Sequence, residues 1–299
     1  MKILVTGGSG MLGRALVRGL AKRHAVTSVS KSGREGALPC QLSDEAAVDR
    51  LFETSPFDLV IHTAAYADVD GCERDPALAH ASNGTATRNL AHACGAKKVP
   101  FIYVSTDYVF DGKKNSPYTE TDPVHPVNIY GMTKLEGEHY AAALCPVSVI
   151  VRTSWLFGAG NPSNFVNAVL ARLRREKSVS VLDDQEDSPT YVGDLAEALE
   201  SIGAATAEKA KKGTVSHEIY HVCNAGSATR YGMTLKMKEI LGLRTEVKRM
   251  DAAALAGRLA IRPRFAVMST ARYEKAFGKL RPWEEALKAY LLKEGTCAS

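Results

Sequence analysis

Three glycines fix the first turn of this chain and, with it, the kind of sheet that can follow. Gly7, Gly10 and Gly13 come directly after the apolar run Ile3-Leu4-Val5 and open a segment of helical pattern reaching about Lys22. At a strand-to-helix junction, such residues allow a tight turn and a close approach of backbone to a pyrophosphate. Its oxygens then face the unpaired N–H groups of a helix N-terminus, here those around Met11 and Leu12.

The first half of the chain repeats this unit. Val26-Thr27-Ser28-Val29, Asp58 to His62, Phe101 to Val104 and Val147 to Val151 are short runs that read as strands. The segments 43–52, 75–94 and 134–144 read as helices. Strands without polar alternation belong to parallel sheets covered on both faces. The predicted fold is therefore α/β, a doubly wound parallel sheet of Rossmann type. Beyond Arg152, helices are expected over 164–174, 192–202, 231–241 and 283–292, strands over 179–181 and 219–222, a solvated turn over 209–213 and a loop over 261–265. The organisation implied is a dinucleotide-binding domain over 1–152, with returning segments near 190–225, and a smaller C-terminal α/β substrate domain made of 153–189 and 226–299.

Composition excludes several classes. With 45% apolar and 24% charged residues the chain can bury a core and is not disordered. Thirty-eight basic against 33 acidic side chains leave +5, a thin surplus that an ordinary solvated face would carry and that at most hints at an anionic ligand rather than a long nucleic acid. The six cysteines include no CxxC or CxxH pair, so neither a zinc site nor a disulfide framework is expected. The opening MKILVTGGSG has too short an apolar run for a signal peptide, and no stretch approaches the apolar length of a membrane span. The expectation is a cytoplasmic protein with reduced thiols and no membrane contact.

The second strand leads into Ser30, Lys31, Ser32 and Arg34 with no acid before Glu35. A carboxylate at this point bonds an adenosine ribose diol, whereas a cation prefers a 2′-phosphate. The two cations favour NADPH, NADH stays possible, and a solvated loop would carry the same residues. Leu42 and the small residues Ala64 and Ala65 ahead of Tyr66 complete the candidate cofactor contacts. The fourth strand runs into Ser105-Thr106-Asp107-Tyr108, and Tyr130 stands four residues before Lys134. That spacing puts phenol and ammonium on one helical face. A nearby cation favours phenolate and eases proton exchange, while the neutral phenol can protonate a carbonyl oxygen as hydride arrives. The Thr106 hydroxyl would hold that carbonyl in register. Y-x-x-x-K alone is common in helices. Joined to the glycine turn and the S-T-D segment in this order, it marks a hydride-transfer site.

Further segments extend the pattern: Val69-Asp70, Tyr108 to Gly112, Asn128 to Glu138, Arg152-Thr153-Ser154-Trp155-Leu156-Phe157-Gly158, Asn164-Phe165-Val166, and Asp183-Asp184-Gln185 with Ser188-Pro189-Thr190. Over nearly its whole length the chain thereby resembles the extended short-chain dehydrogenase/reductases. The resemblance implies that Tyr130 is the general acid, that Lys134 binds the nicotinamide ribose and tunes Tyr130, and that Thr106 completes the triad. It also implies NADPH or NADH as cofactor and a dTDP-linked 4-keto-6-deoxy sugar as substrate. Asp107, Tyr108 and Trp155 are then expected to face the sugar, with Val69, Asn164 and Arg262 as further substrate contacts.

The chain departs from the family pattern at His62, where Asn is frequent, at Asp187, where Gly is usual, and at Phe265-Ala266. These departures bear on the sugar and the base more than on the cofactor. Some relatives form a metal-assisted dimer through a Glu after the glycine turn. Ala15 stands there, so no metal is expected, and a homodimer is left open. His62 reads as a structural histidine and Asn83 as a support for the strand ends. Two other functions fit the pattern: another nucleotide-sugar reductase or epimerase of this fold, and a non-catalytic regulatory subunit like the beta subunit of methionine adenosyltransferase. Intact Thr106, Tyr130 and Lys134 argue against the second.

Overall fold

The computed structural model describes residues 1–250 and 257–293. Cys297, and the parts of the expected substrate domain at 251–256 and 294–299, lie outside the described residues. The first half runs β1 (Lys2–Thr6), α1 (Met11–Leu20), β2 (Ala25–Ser30), β3 (Leu38–Pro39), α2 (Glu45–Thr54), β4 (Leu59–His62), α3 (Val69–Arg74), α4 (Pro76–Ala79), a π-turn (His80–Thr85), α5 (Ala86–Lys97), β5 (Phe101–Thr106), α6 (Ile129–Leu144) and β6 (Val147–Thr153). Then follow β7 (Leu156–Phe157), α7 (Phe165–Arg175), β8 (Ser178–Leu182), β9 (Glu186–Asp187), β10 (Thr190–Tyr191), α8 (Val192–Lys211), β11 (Ser216–His221), β12 (Ala228–Thr229), α9 (Arg230–Leu241), β13 (Glu246–Met250), α10 (Ala271–Phe277) and α11 (Trp283–Lys293).

Seven strands form one parallel sheet in the order β11-β6-β5-β4-β1-β2-β3. Successive residues of a strand point to opposite faces, so an unbroken apolar run feeds two cores at once. Ile3, Val5, Leu59, Ile61, Ile102 and Val104 pack under α1 and α8 on one side. Leu4, Val60, Phe101 and Tyr103 pack with α2 and α5 residues on the other. A separate apolar cluster joins α7, β8, α9 and α11 through Val169, Leu173, Val181, Met237, Trp283 and Leu287.

Three local expectations need correction. The helix read over 75–94 is interrupted by the π-turn His80–Thr85, and α3 precedes it with Asp68 accepting the Gly71 N–H. The helix read over 192–202 continues to Lys211, which absorbs much of the expected turn at 209–213. Its buried face is carried onward by the small residues Gly203, Thr206 and Ala207, which hydropathy alone under-reads. The sequence reading also lacks α10 and β13. The latter, Glu-Val-Lys-Arg-Met, offers little apolar signal and is a strand because it pairs in parallel with β8.

Candidate active site

The glycine turn is held by backbone sterics. Gly7 has φ +70°, and a Cβ there would lie 2.8 Å from the Ala64 backbone; at Gly13 a Cβ would strike the Gly7 carbonyl. The Gly10 N–H donates to the Gly7 carbonyl at 2.8 Å, and α1 begins with no side chain capping its first turn. Uncapped N–H groups on a turn that admits no Cβ are what a pyrophosphate requires, so these residues fit a dinucleotide.

Asn128 caps α6 by accepting the Gly131 N–H at 2.8 Å, so the helix starts earlier than the sequence reading has it and Tyr130 lies in its first turn. Lys134, one turn on, is 2% exposed. Its Nζ donates to the Val104 carbonyl at 2.7 Å and sits 4.1 Å above the Tyr103 ring. Burial lowers the ammonium to about 7, and Glu138 works in the opposite direction. Burial, and next the neighbouring Asp107, push the Tyr130 phenol well above its ordinary range, and the adjacent Thr106 hydroxyl works in the opposite direction. The phenol is therefore held neutral, a proton donor at any ordinary pH.

Beneath these groups Glu138 accepts Arg152 Nε at 2.9 Å and Nη2 at 2.7 Å, and the Ser105 hydroxyl at 2.6 Å. The cluster ties β5, α6 and β6 together. His62 is fully buried between the Thr6 and Thr87 hydroxyls at 2.6 and 3.1 Å, and burial depresses it to about 3, so it is a neutral structural group. Asn83, in the π-turn, accepts the Tyr66 N–H and donates to Thr133 Oγ1, fastening the end of β4 to α6.

A cleft of about 520 Å³ runs from the glycine turn across Thr106, Tyr130 and Lys134 to a wall drawn from the C-terminal half. It brings together Gly7, Gly10, Met11, Leu12, Gly13, Ala65, Val69, Thr106, Asp107, Tyr108, Tyr130, Lys134, Trp155 and Asn164. Ser30, Lys31, Arg34, Leu42, Ala64, Tyr66 and Arg262 lie outside its lining. Ser30 is buried at the end of β2 and accepts the Gly33 N–H, whereas Lys31 and Arg34 are exposed. Leu42 packs in the core on the α2 side. Ala64 and Tyr66 follow β4, beside Gly7 and Asn83 respectively. Arg262 forms an ion pair with Asp70 at 2.7 Å, which holds that carboxylate down at about 2. Asn164 uses its side chain structurally as well, capping α7 at Val166 and donating to the Leu156 carbonyl.

The wall carries stored strain and open polar atoms. Trp155 has φ +37°, a left-handed conformation costly for a bulky residue. Its Nε1, Thr153 Oγ1 and Asp107 Oδ2 are buried without hydrogen-bond partners among the described residues. Arg230 lies over the Trp155 ring at 4.9 Å and the Phe165 ring at 4.8 Å, inside the cleft. Sequence reasoning missed Arg230, and also the Glu138–Arg152 pair. Glu138 was findable as the residue one turn beyond Lys134, but Arg230 reaches Trp155 only through packing.

A Rossmann sheet with an uncapped glycine turn opening onto Thr106, Tyr130 and Lys134 defines an oxidoreductase of the extended short-chain dehydrogenase/reductase class. The family profile described as the RmlD substrate binding domain matches residues 1–295, and the chain belongs to that family. A dTDP-4-dehydrorhamnose reductase of Streptomyces griseus is 40% identical over 286 residues, covering 95% of this chain and 91% of that one. Another from Mycolicibacterium smegmatis is 38% identical, covering 96% of this chain and 84% of the other. Among solved structures, the dTDP-4-dehydrorhamnose reductase of Bacillus anthracis in complex with NADP superposes with TM-score 0.89 at 28% identity, over 98% of this chain and 99% of that one. The family-level chemistry is NAD(P)H-dependent reduction of a nucleotide sugar.

Proposed function

We propose that this chain reduces the 4-keto group of dTDP-4-dehydro-L-rhamnose, preferring NADPH over NADH, and releases dTDP-L-rhamnose. The observation that carries the reading is the single cleft in which the glycine turn, Tyr130 and the Trp155–Arg230 wall meet. Relatives 40% and 38% identical bear the corresponding activity in their names. In this reading the dinucleotide lies on residues 1–152 with the segments near 190–225, and the remainder forms the sugar-nucleotide side.

The glycine turn at Gly7, Gly10 and Gly13 would hold the dinucleotide, which when bound would supply hydride for a carbonyl carbon. Tyr130 gives its phenolic proton to the carbonyl oxygen, which the Thr106 hydroxyl holds within reach. Lys134, already drawn toward neutrality by burial, regains its charge against ribose hydroxyls and the developing phenolate. Trp155 covers the apolar face of the deoxysugar and excludes water, and Arg230 receives the pyrophosphate. Binding energy from the nucleotide then holds the ketone in place, so a simple ketone should be a poor substrate.

The test supplies dTDP-4-dehydro-L-rhamnose generated in situ and follows NADPH loss together with dTDP-L-rhamnose formation. Stoichiometric product supports the reading. Turnover confined to another 4-keto nucleotide sugar would reject this substrate and leave the reductase chemistry standing.

A further inference from the structure

Two carboxyl groups meet behind the wall of the cleft. Asp107, in the turn after β5, and Asp187, in β9, are 2% and 1% exposed, their carboxyls face each other, and among the described residues neither forms an ion pair. Two ionised carboxylates buried face to face repel each other, and a shared proton is what removes that repulsion. Among the described residues no N–H or O–H donor reaches the buried Asp107 Oδ2, as expected if a proton lies between the two acids. The other oxygens are occupied: Asp107 Oδ1 accepts from Thr106 Oγ1 at 2.9 Å, and Asp187 Oδ1 accepts from the Ser188 N–H at 2.8 Å. The Tyr130 phenol is the next group, beside the Thr106 hydroxyl in the cleft. The titratable or charged groups facing the pair are the phenols of Tyr108 and Tyr130, the Cys223 thiol and the Arg230 guanidinium. Of these only Arg230 brings positive charge, and it stacks on Trp155 and Phe165.

We propose that Asp187 is a positioning residue for proton transfer: it shares one proton with Asp107 and so keeps a single negative charge on the chain Asp187, Asp107, Thr106, Tyr130. The inference rests on the reading of Tyr130 as proton donor. Each further negative charge beside the phenol makes the phenolate harder to form and Tyr130 a weaker acid. Burial raises Asp187 to about 6 and, with repulsion from Asp187, Asp107 well above the carboxylate range. A carboxyl raised on folding stabilises the fold below its unfolded value, and that contribution is lost as pH rises through the folded value. The pair therefore weakens the protein progressively from about pH 4 through about pH 6 and beyond.

Asp187→Asn supplies a permanent N–H donor to Asp107 and removes the second ionisation. Two measurements decide the matter: kcat/KM against pH, and thermal stability of parent and variant against pH, the latter without any substrate. The expected results are a basic limb of kcat/KM displaced upward by about one pH unit or more in the variant, and a variant Tm that gains on the parent from about pH 5 to about pH 8. Parallel Tm curves would overturn proton sharing. A widening Tm gap with coincident kcat/KM profiles would overturn the link to Tyr130. If the substrate assignment is wrong, the Tm curves still decide proton sharing, and the profile is run on whichever ketone is turned over. Should the Asn variant not fold, Asp187→Ser removes the same ionisation and is read in the same way.

Discussion

On the floor of the cleft, Glu138 and Arg152 are each 3% exposed and joined by two hydrogen bonds at 2.9 and 2.7 Å. In the wall, Asp107 and Asp187 are buried as deeply and are both acids, so full ionisation would set two charges of the same sign together. The first pair joins opposite charges through two hydrogen bonds, leaving Arg152 Nη1 without a partner among the described residues, and locks three elements together. The second can be buried only by retaining a proton, and it sits beside a tryptophan in a strained backbone conformation and polar atoms that lack partners. Opposite charges buried together serve as scaffold, whereas like acids buried together need a proton from outside the pair.

The largest effect is expected where floor and wall meet. Tyr130→Phe deletes the phenolic proton without changing the volume much, and kcat should fall by about 10²–10⁴-fold while dinucleotide binding persists. A kcat within about threefold of the parent would remove Tyr130 from its role. Next comes the floor itself. Arg152→Met leaves Glu138 buried and uncompensated, so denaturant unfolding should show a loss of about 3–5 kcal/mol. Adding Glu138→Leu should recover most of it, and no recovery would mean that the pair acts through packing alone. The same operation in the wall has the opposite sign, since Asp187→Asn should stabilise the protein as pH rises. The smallest effect belongs to the exposed rim: replacing Lys31 and Arg34 by Ala should weaken NADPH by about tenfold and leave NADH nearly unchanged, because only NADPH presents a 2′-phosphate. Equal changes in the two Kd values would show that neither cation reaches that phosphate.

The floor was the more legible of the two regions, because its residues come from contiguous motifs. The glycines stand next to the first strand, and Tyr130, Lys134 and Glu138 share a helix at one-turn spacing. The wall was only partly legible. Trp155 and Asp187 were visible as motif positions, but that Asp187 faces Asp107 across 80 residues has no local signature. Arg230 was invisible for the same reason, since its place over Trp155 depends on how α9 packs. The π-turn around Asn83 was hidden because a single extra residue in a helical turn leaves the apolar period almost unchanged.

By itself the sequence determined the parallel sheet, the cofactor turn and the face shared by Tyr130 and Lys134, because strand burial, glycine sterics and helical spacing act between residues near in the chain. The tertiary structure alone decided which charges were paired. Desolvation and Coulomb interaction depend on distance in space, so Glu138 met an arginine and Asp107 a second carboxyl for reasons no local pattern contains.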